Sequence, residues 1–118
     1  SNEIAAEVRR ELNSLFARKS SRFVAYGDCS AIKILPDSAG PRCEAADFLP
    51  YDGDWQKIDR KVDASLTHAY RCALLLGGVD WMGWGGSTSL AHSKADIDQT
   101  VSAFDQAIDL LREDGFEI

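Results

Sequence analysis

The sequence predicts an α+β fold: a small antiparallel sheet of about four strands with helices packed on one face, in the order α-β-β-α-β-β-α. Three observations carry that expectation. Apolar residues recur at helical spacing in three long stretches. Between those stretches lie two pairs of short β-tolerant runs, each pair broken by glycine. The 118 residues suit a single domain, 1–118, able to bury about two-thirds of its unfolded surface in one core.

Residues 3–18 read as the first helix, with Ile4, Val8, Leu12, Leu15 and Phe16 on one stripe and Arg9, Arg10, Glu11 and Asn13 as polar decoration. Glu3 and Glu7 near its start and Arg18-Lys19 at its end match the helix dipole, and Ser20-Ser21 end it. Phe23 to Tyr26 then read as a strand and Gly27-Asp28 as a reversal. Ser30 to Leu35 form the returning strand, with Ile32 and Ile34 on the inner face, Lys33 and Leu35 on the face nearer solvent, and Pro36 as the stop. The 36–54 stretch lacks periodicity but carries Phe48, Leu49 and Tyr51, followed by Trp55, so it is expected to pack against a partner. Asp54 is placed to cap a helix from Trp55 to Leu76, striped by Ile58, Val62, Leu66, Ala69, Ala73 and Leu76 and stopped by Gly77-Gly78.

A second hairpin follows, with one arm from Val79, a reversal at Gly83-Trp84-Gly85-Gly86 and a returning strand from Ser87 to Ala91. Ser93 and Asp96 then form a capping-box pair. Ile97, Val101, Phe104, Ile108 and Leu111 mark the buried face of the last helix, which ends near Glu113 with Gly115 beyond.

Composition narrows the function classes. A net charge of −6 and a pI near 4.8 argue against a nucleic-acid surface, which needs clustered Lys and Arg to displace counterions from phosphate. The longest apolar run, Cys72 to Val79, is far shorter than the ~20 residues of a spanning helix, and no signal-peptide pattern stands at the start. Cys29, Cys43 and Cys72 are an odd set without a C-x-x-C pair, which fits free thiols in a reducing cytoplasm and neither a disulfide framework nor a zinc site.

The chemistry-bearing residue types read as architecture. A strand separates the glycine-rich turn from the next helix, so a hairpin explains it better than a phosphate cradle; small-anion binding there ranks last. His92 lies near Ser87 and Ser89, which leaves a Ser-His-Asp site open by identity alone, but a strand-to-helix junction accounts for it better. His68 falls beside an apolar stripe in mid-helix. Asp98, Asp105 and Asp109 share one helical side and read, with Asp96, as a solvated face. No catalytic constellation and no metal site is expected.

The run from Arg71 to Asp114 resembles the C-terminal end of class III pyridoxal-phosphate-dependent aminotransferases, nearest to glutamate-1-semialdehyde aminomutase. Ala73-Leu74-Leu75, Gly78-Val79, Ser89-Leu90-Ala91-His92 and Asp96 through Phe104 carry the resemblance. Leu12 through Phe16, Tyr26-Gly27 and Ser30 extend it, so that it covers about residues 5–35 and 66–112. It implies the small C-terminal domain of a larger, homodimeric enzyme, a transaminase or isomerase, that closes over a substrate amino acid. The cofactor, pyridoxal phosphate, then belongs to a large domain absent from this chain, because Lys19, Lys33, Lys57, Lys61 and Lys94 do not match the cofactor-lysine motif.

By the same resemblance Trp84, Gly85, Gly86 and Ser87 border the substrate, with Tyr26-Gly27 a weaker candidate, and the chain alone is expected to be inactive and to bind no cofactor. One departure stands out: Trp84 occupies the place of a glutamate usual in the mutase branch, which leaves open an aminotransferase acting on another amino acid or an amino-sugar-like substrate. The competing reading is a free-standing acidic α+β module for protein interaction or dimerisation.

Overall fold

The computed structural model describes residues 2–38, 50–58, 62–81, 83–89 and 91–118. Helix α1 (Asn2–Arg18) leads into strands β1 (Val24–Tyr26) and β2 (Ala31–Leu35). A 3-10 turn, Pro50–Gly53, precedes the short helix α2 (Trp55–Ile58) and the longer α3 (Ala64–Leu76). Strand β3 (Gly85–Ser87) and helix α4 (Lys94–Glu113) complete the order. The sheet is antiparallel, β1-β2-β3, with Ala25 opposite Ile34 and Ile32 opposite Gly86. The α+β class is as expected, with three strands in the sheet among the described residues rather than about four.

The core lies between the sheet and α1, α3 and α4, where Phe16, Phe23, Tyr70, Trp81, Trp84 and Phe104 form a web of ring contacts. Ile32 and Ile34 point into it, as their alternation requires. Leu35, on the face expected to be nearer solvent, is only 3% exposed, as is its cross-strand neighbour Val24 at 2%. Val62, just before α3, and Leu66 in its first turn border a depression with Leu35, rimmed by Arg22, Asp37, Asp63 and Glu117.

Arg9 and Asn13 are not surface decoration. Both are buried. The Asn13 amide donates to the Ala25 carbonyl at 2.9 Å, and its oxygen accepts the Ala25 N–H at 2.8 Å. Arg9 donates to the carbonyls of Cys29 and Ala31. Two polar side chains of α1 thus supply the hydrogen bonds that the β1–β2 hairpin cannot obtain from water.

Three helices end in the same way. Ser20, Gly78 and Gly115 have φ of 52°, 85° and 91°, and the next residue's amide reaches back to Phe16, Leu74 and Leu111 respectively. This is the Schellman closure, which satisfies the last carbonyls. Gly77 has a second role: a Cβ there would stand 2.7 Å from the Ala103 Cβ, so its hydrogen lets α3 approach α4.

Two expected elements differ. The helix from Trp55 to Leu76 is two helices among the described residues. Asp54 accepts the Gln56 amide in α2, and Asp63, with an extended ψ of 129°, accepts the Leu66 amide to start α3. A second capping aspartate inside a continuous apolar period restarts the helix. The second hairpin also fails to form from Val79: the Val79 amide closes α3, Trp81 turns into the core, and β3 pairs with β2 instead. Of the expected 87–91 strand, Ser87 pairs, the Thr88 amide reaches Ser30 and the Ser89 amide bonds to His92; Leu90 lies outside the described residues. Phe48 and Leu49, on which the expectation of partner packing rested, also lie outside them.

Candidate functional site

The glycine-rich stretch positions a cleft. Gly83, at φ 61°, turns the chain so that Trp84 precedes β3. The Trp84 indole stacks on Tyr70 with ring centroids 4.0 Å apart and donates through Nε1 to Thr67 Oγ1 at 3.0 Å. It also meets Phe23 edge-on at 6.0 Å. A half-buried tryptophan held on three sides is an anchor. It fixes where β3 begins, since its carbonyl accepts the Ile34 amide at 2.8 Å.

Trp84 and Thr88 therefore turn backbone groups toward β2, as does Gly86 between them, whereas Gly85 and Ser87 turn theirs toward the open edge. Gly86 lies over the Trp81 ring, with room for a Cβ at ordinary contact distance of 3.5 Å. Gly85, Gly86 and Ser87 form one wall of a cleft of about 330 Å³. Its apolar surface comes from Ile4 and Val8 of α1, Ile32, Trp81 and Ile97, and its polar rim from Asp80, Ser87, Thr88, His92 and Asp96. Three of the four expected substrate-proximal residues thus come together in this wall, while Trp84 anchors it from within the fold. Tyr26-Gly27 lie at the opposite edge strand, away from the cleft.

The rim is acidic. Its carboxylates, Asp80 and Asp96, face no lysine or arginine among the cleft-lining residues. Asp80 takes a hydrogen bond from Arg71 at 3.1 Å. Asp96 accepts the Ser93 amide at 2.7 Å and the Ser93 hydroxyl at 3.1 Å. Those bonds, the amide first, hold its carboxyl below the usual aspartate range. His92 accepts the Ser89 amide on Nδ1 at 2.9 Å, which fixes the turn into α4. The imidazole serves the strand-to-helix junction, and its bond is to an amide rather than to a serine hydroxyl.

The remaining candidates are engaged elsewhere. Asp105 and Asp109 pair with Lys19, and Asp98 with Lys94 at 3.0 Å, all on the exposed side of α4. Burial alone would lower the Lys19 pKa, but Asp105 and Asp109 raise it overall. Lys94 is held above the usual amine range by Asp98 and then Glu11. Lys57 lies over the Tyr51 ring and Lys33 is exposed on β2; Lys61 is outside the described residues. Among the described residues no group of three His, Cys, Asp or Glu side chains is placed to hold a metal, and no helix is long and apolar enough to cross a membrane. Tyr70 is fully buried, its hydroxyl has no hydrogen-bond partner among the described residues, and burial pushes its pKa well up.

No family model matches the chain, and no curated protein matches it in sequence. Among solved structures, a β-phenylalanine aminotransferase from Variovorax paradoxus is similar, with a TM-score of 0.73 and 20% identity over 95% of this chain. The likeness is one of fold. The chain spans 24% of that protein's length.

Proposed function

We propose that this chain is the C-terminal domain of a pyridoxal-phosphate-dependent enzyme of the class III aminotransferase kind, which closes over the substrate amino acid. The carrying observation is the fold likeness over 95% of the chain to a quarter-length portion of an aminotransferase. The ordered motifs from Ala73 to Phe104 agree with it. The intact protein is then a cytoplasmic homodimer whose large domain holds the cofactor. Trp84 in the glutamate's place favours a transaminase over the aminomutase branch, glutamate-1-semialdehyde aminomutase included.

Two features of the described residues weigh against the cofactor binding to this chain by itself. A phosphate monoester carries roughly two negative charges, whereas the cleft is lined by Asp80 and Asp96 and, among the described residues, by no lysine or arginine, and Arg71 is paired with Asp80. A lysine that joins a carbonyl must shed its proton, whereas Lys19 and Lys94 are both held protonated by carboxylates. This chain's part is steric and positional: Trp84 props the Gly85–Ser87 wall, and closure of that wall excludes water from the substrate.

Two preparations test the proposal. The 118-residue chain with added pyridoxal phosphate gives no stoichiometric, borohydride-trappable chromophore. The protein expressed from its complete reading frame is yellow and consumes an amino donor. A complete reading frame that encodes no large domain contradicts the proposal.

A second reading, a free-standing interaction or dimerisation module, draws on exposed apolar side chains: Trp55 is 69% exposed and Leu76 77%. A tight dimer of the isolated chain in sedimentation favours it.

A further inference from the structure

We infer that His68 and Cys72 form a binding site for a zinc-class divalent cation on the exposed side of α3. The cysteine spacings argue against a cysteine-only zinc framework, but they say nothing of a mixed pair on one helix. Residues four apart share a helical face. Here the Cys72 sulfur stands 3.7 Å from Nε2 of His68, and both side chains are exposed.

That separation, a sulfur–nitrogen hydrogen-bond contact, is also compatible with chelation. An ion bound at about 2.3 Å to sulfur and about 2.0 Å to nitrogen holds the two donors about 3.5 Å apart at a tetrahedral angle. The same bonds give about 3.0 Å at an octahedral right angle and about 4.3 Å in a linear arrangement. The observed 3.7 Å lies nearest the tetrahedral value, so the pair needs only a small adjustment to chelate. Thiolate and imidazole are ligands that suit zinc rather than magnesium or calcium.

The surroundings are compatible with a cation. Arg71, the adjacent base, is drawn off by Asp80 at 3.1 Å. Asp114, at the end of α4, borders the same groove as His68 and Cys72 and adds negative charge. Binding forms a sulfur–metal and a nitrogen–metal bond, releases the thiol proton to solvent and involves no redox change. With two protein ligands, the other two tetrahedral positions stay open to water.

Cobalt(II), which takes the same ligands and is visible, is the probe. Titrated into the reduced 118-residue chain, it is expected to give one equivalent of a near-ultraviolet thiolate-to-cobalt band that zinc displaces. Cys72→Ser abolishes the band and Cys29→Ser keeps it. His68→Ala weakens binding at least tenfold, since losing a direct ligand costs no less than losing an outer partner, about 10–100-fold. Both positions are exposed, so unchanged circular dichroism separates ligand loss from misfolding. The absence of any band at millimolar cobalt overturns the inference. So does a band that survives Cys72→Ser, or an affinity that His68→Ala leaves unchanged.

Discussion

The sheet has two edges, and the molecule treats them oppositely. At β1 the outward N–H and C=O of Ala25 are both taken by the Asn13 side chain, which stands where a further strand would pair. At β3 the equivalent groups of Gly85 and Ser87 face a cleft, and among the described residues no side chain closes them off. An unpaired edge is a site for further pairing unless it is blocked. The first edge is a folding device, sealed from within. The second is left open with small residues, and it is the edge at which the proposed role places the approach of substrate.

The largest expected effect breaks the sealed edge. Asn13→Ala leaves two buried backbone groups of Ala25 without partners and should cost about 3 kcal/mol in urea unfolding. Next is the helix pair behind the sheet: Gly77→Ala places a Cβ against Ala103 and should cost about 2 kcal/mol. Thr67→Val removes the acceptor for the Trp84 indole and should cost about 1 kcal/mol, with a shift in tryptophan emission. At the open edge, Ser87→Ala should change stability by no more than about 0.5 kcal/mol, so under the proposed role any large loss of aminotransferase activity in the full-length protein reports on function.

The smallest effect is a pH dependence. The Asp96 carboxyl is depressed by the Ser93 amide and hydroxyl, so the folded state binds its proton less readily than the unfolded chain. Its contribution is present above the ordinary value of about 3.9 and is lost as pH falls through the folded pKa. Comparing urea midpoints at pH 7 and pH 3 for the wild type and Asp96→Asn should show a smaller acid loss in the variant.

Much of the sealed half is legible in the sequence because its signals are local. The α1 stripe, the β1–β2 alternation, the Ser93–Asp96 pair and the aspartate face of α4 follow from periodicity and capping alone. The burial of Arg9 and Asn13 is not legible, because their partners are backbone groups 12 to 22 residues away. The open half is harder to read for the same reason. The start of β3 depends on the Trp84–Tyr70 stack and on the Trp81 ring beneath Gly86, both tertiary contacts. The Asp63 restart competes with an unbroken apolar period, and periodicity alone favours the longer helix. Of the cleft, the resemblance points to Gly85, Gly86 and Ser87 but not to the depression they line, and only the fold brings Asp80 and Asp96 to one rim.

The most direct test of the proposed role is to find the lysine that holds the cofactor. Borohydride reduction of the intact, pyridoxal-phosphate-loaded protein followed by peptide mapping should place the pyridoxyl group on a lysine outside residues 1–118. A pyridoxyl group on Lys19, Lys33, Lys57, Lys61 or Lys94, or an intact protein that takes up no cofactor, would contradict it.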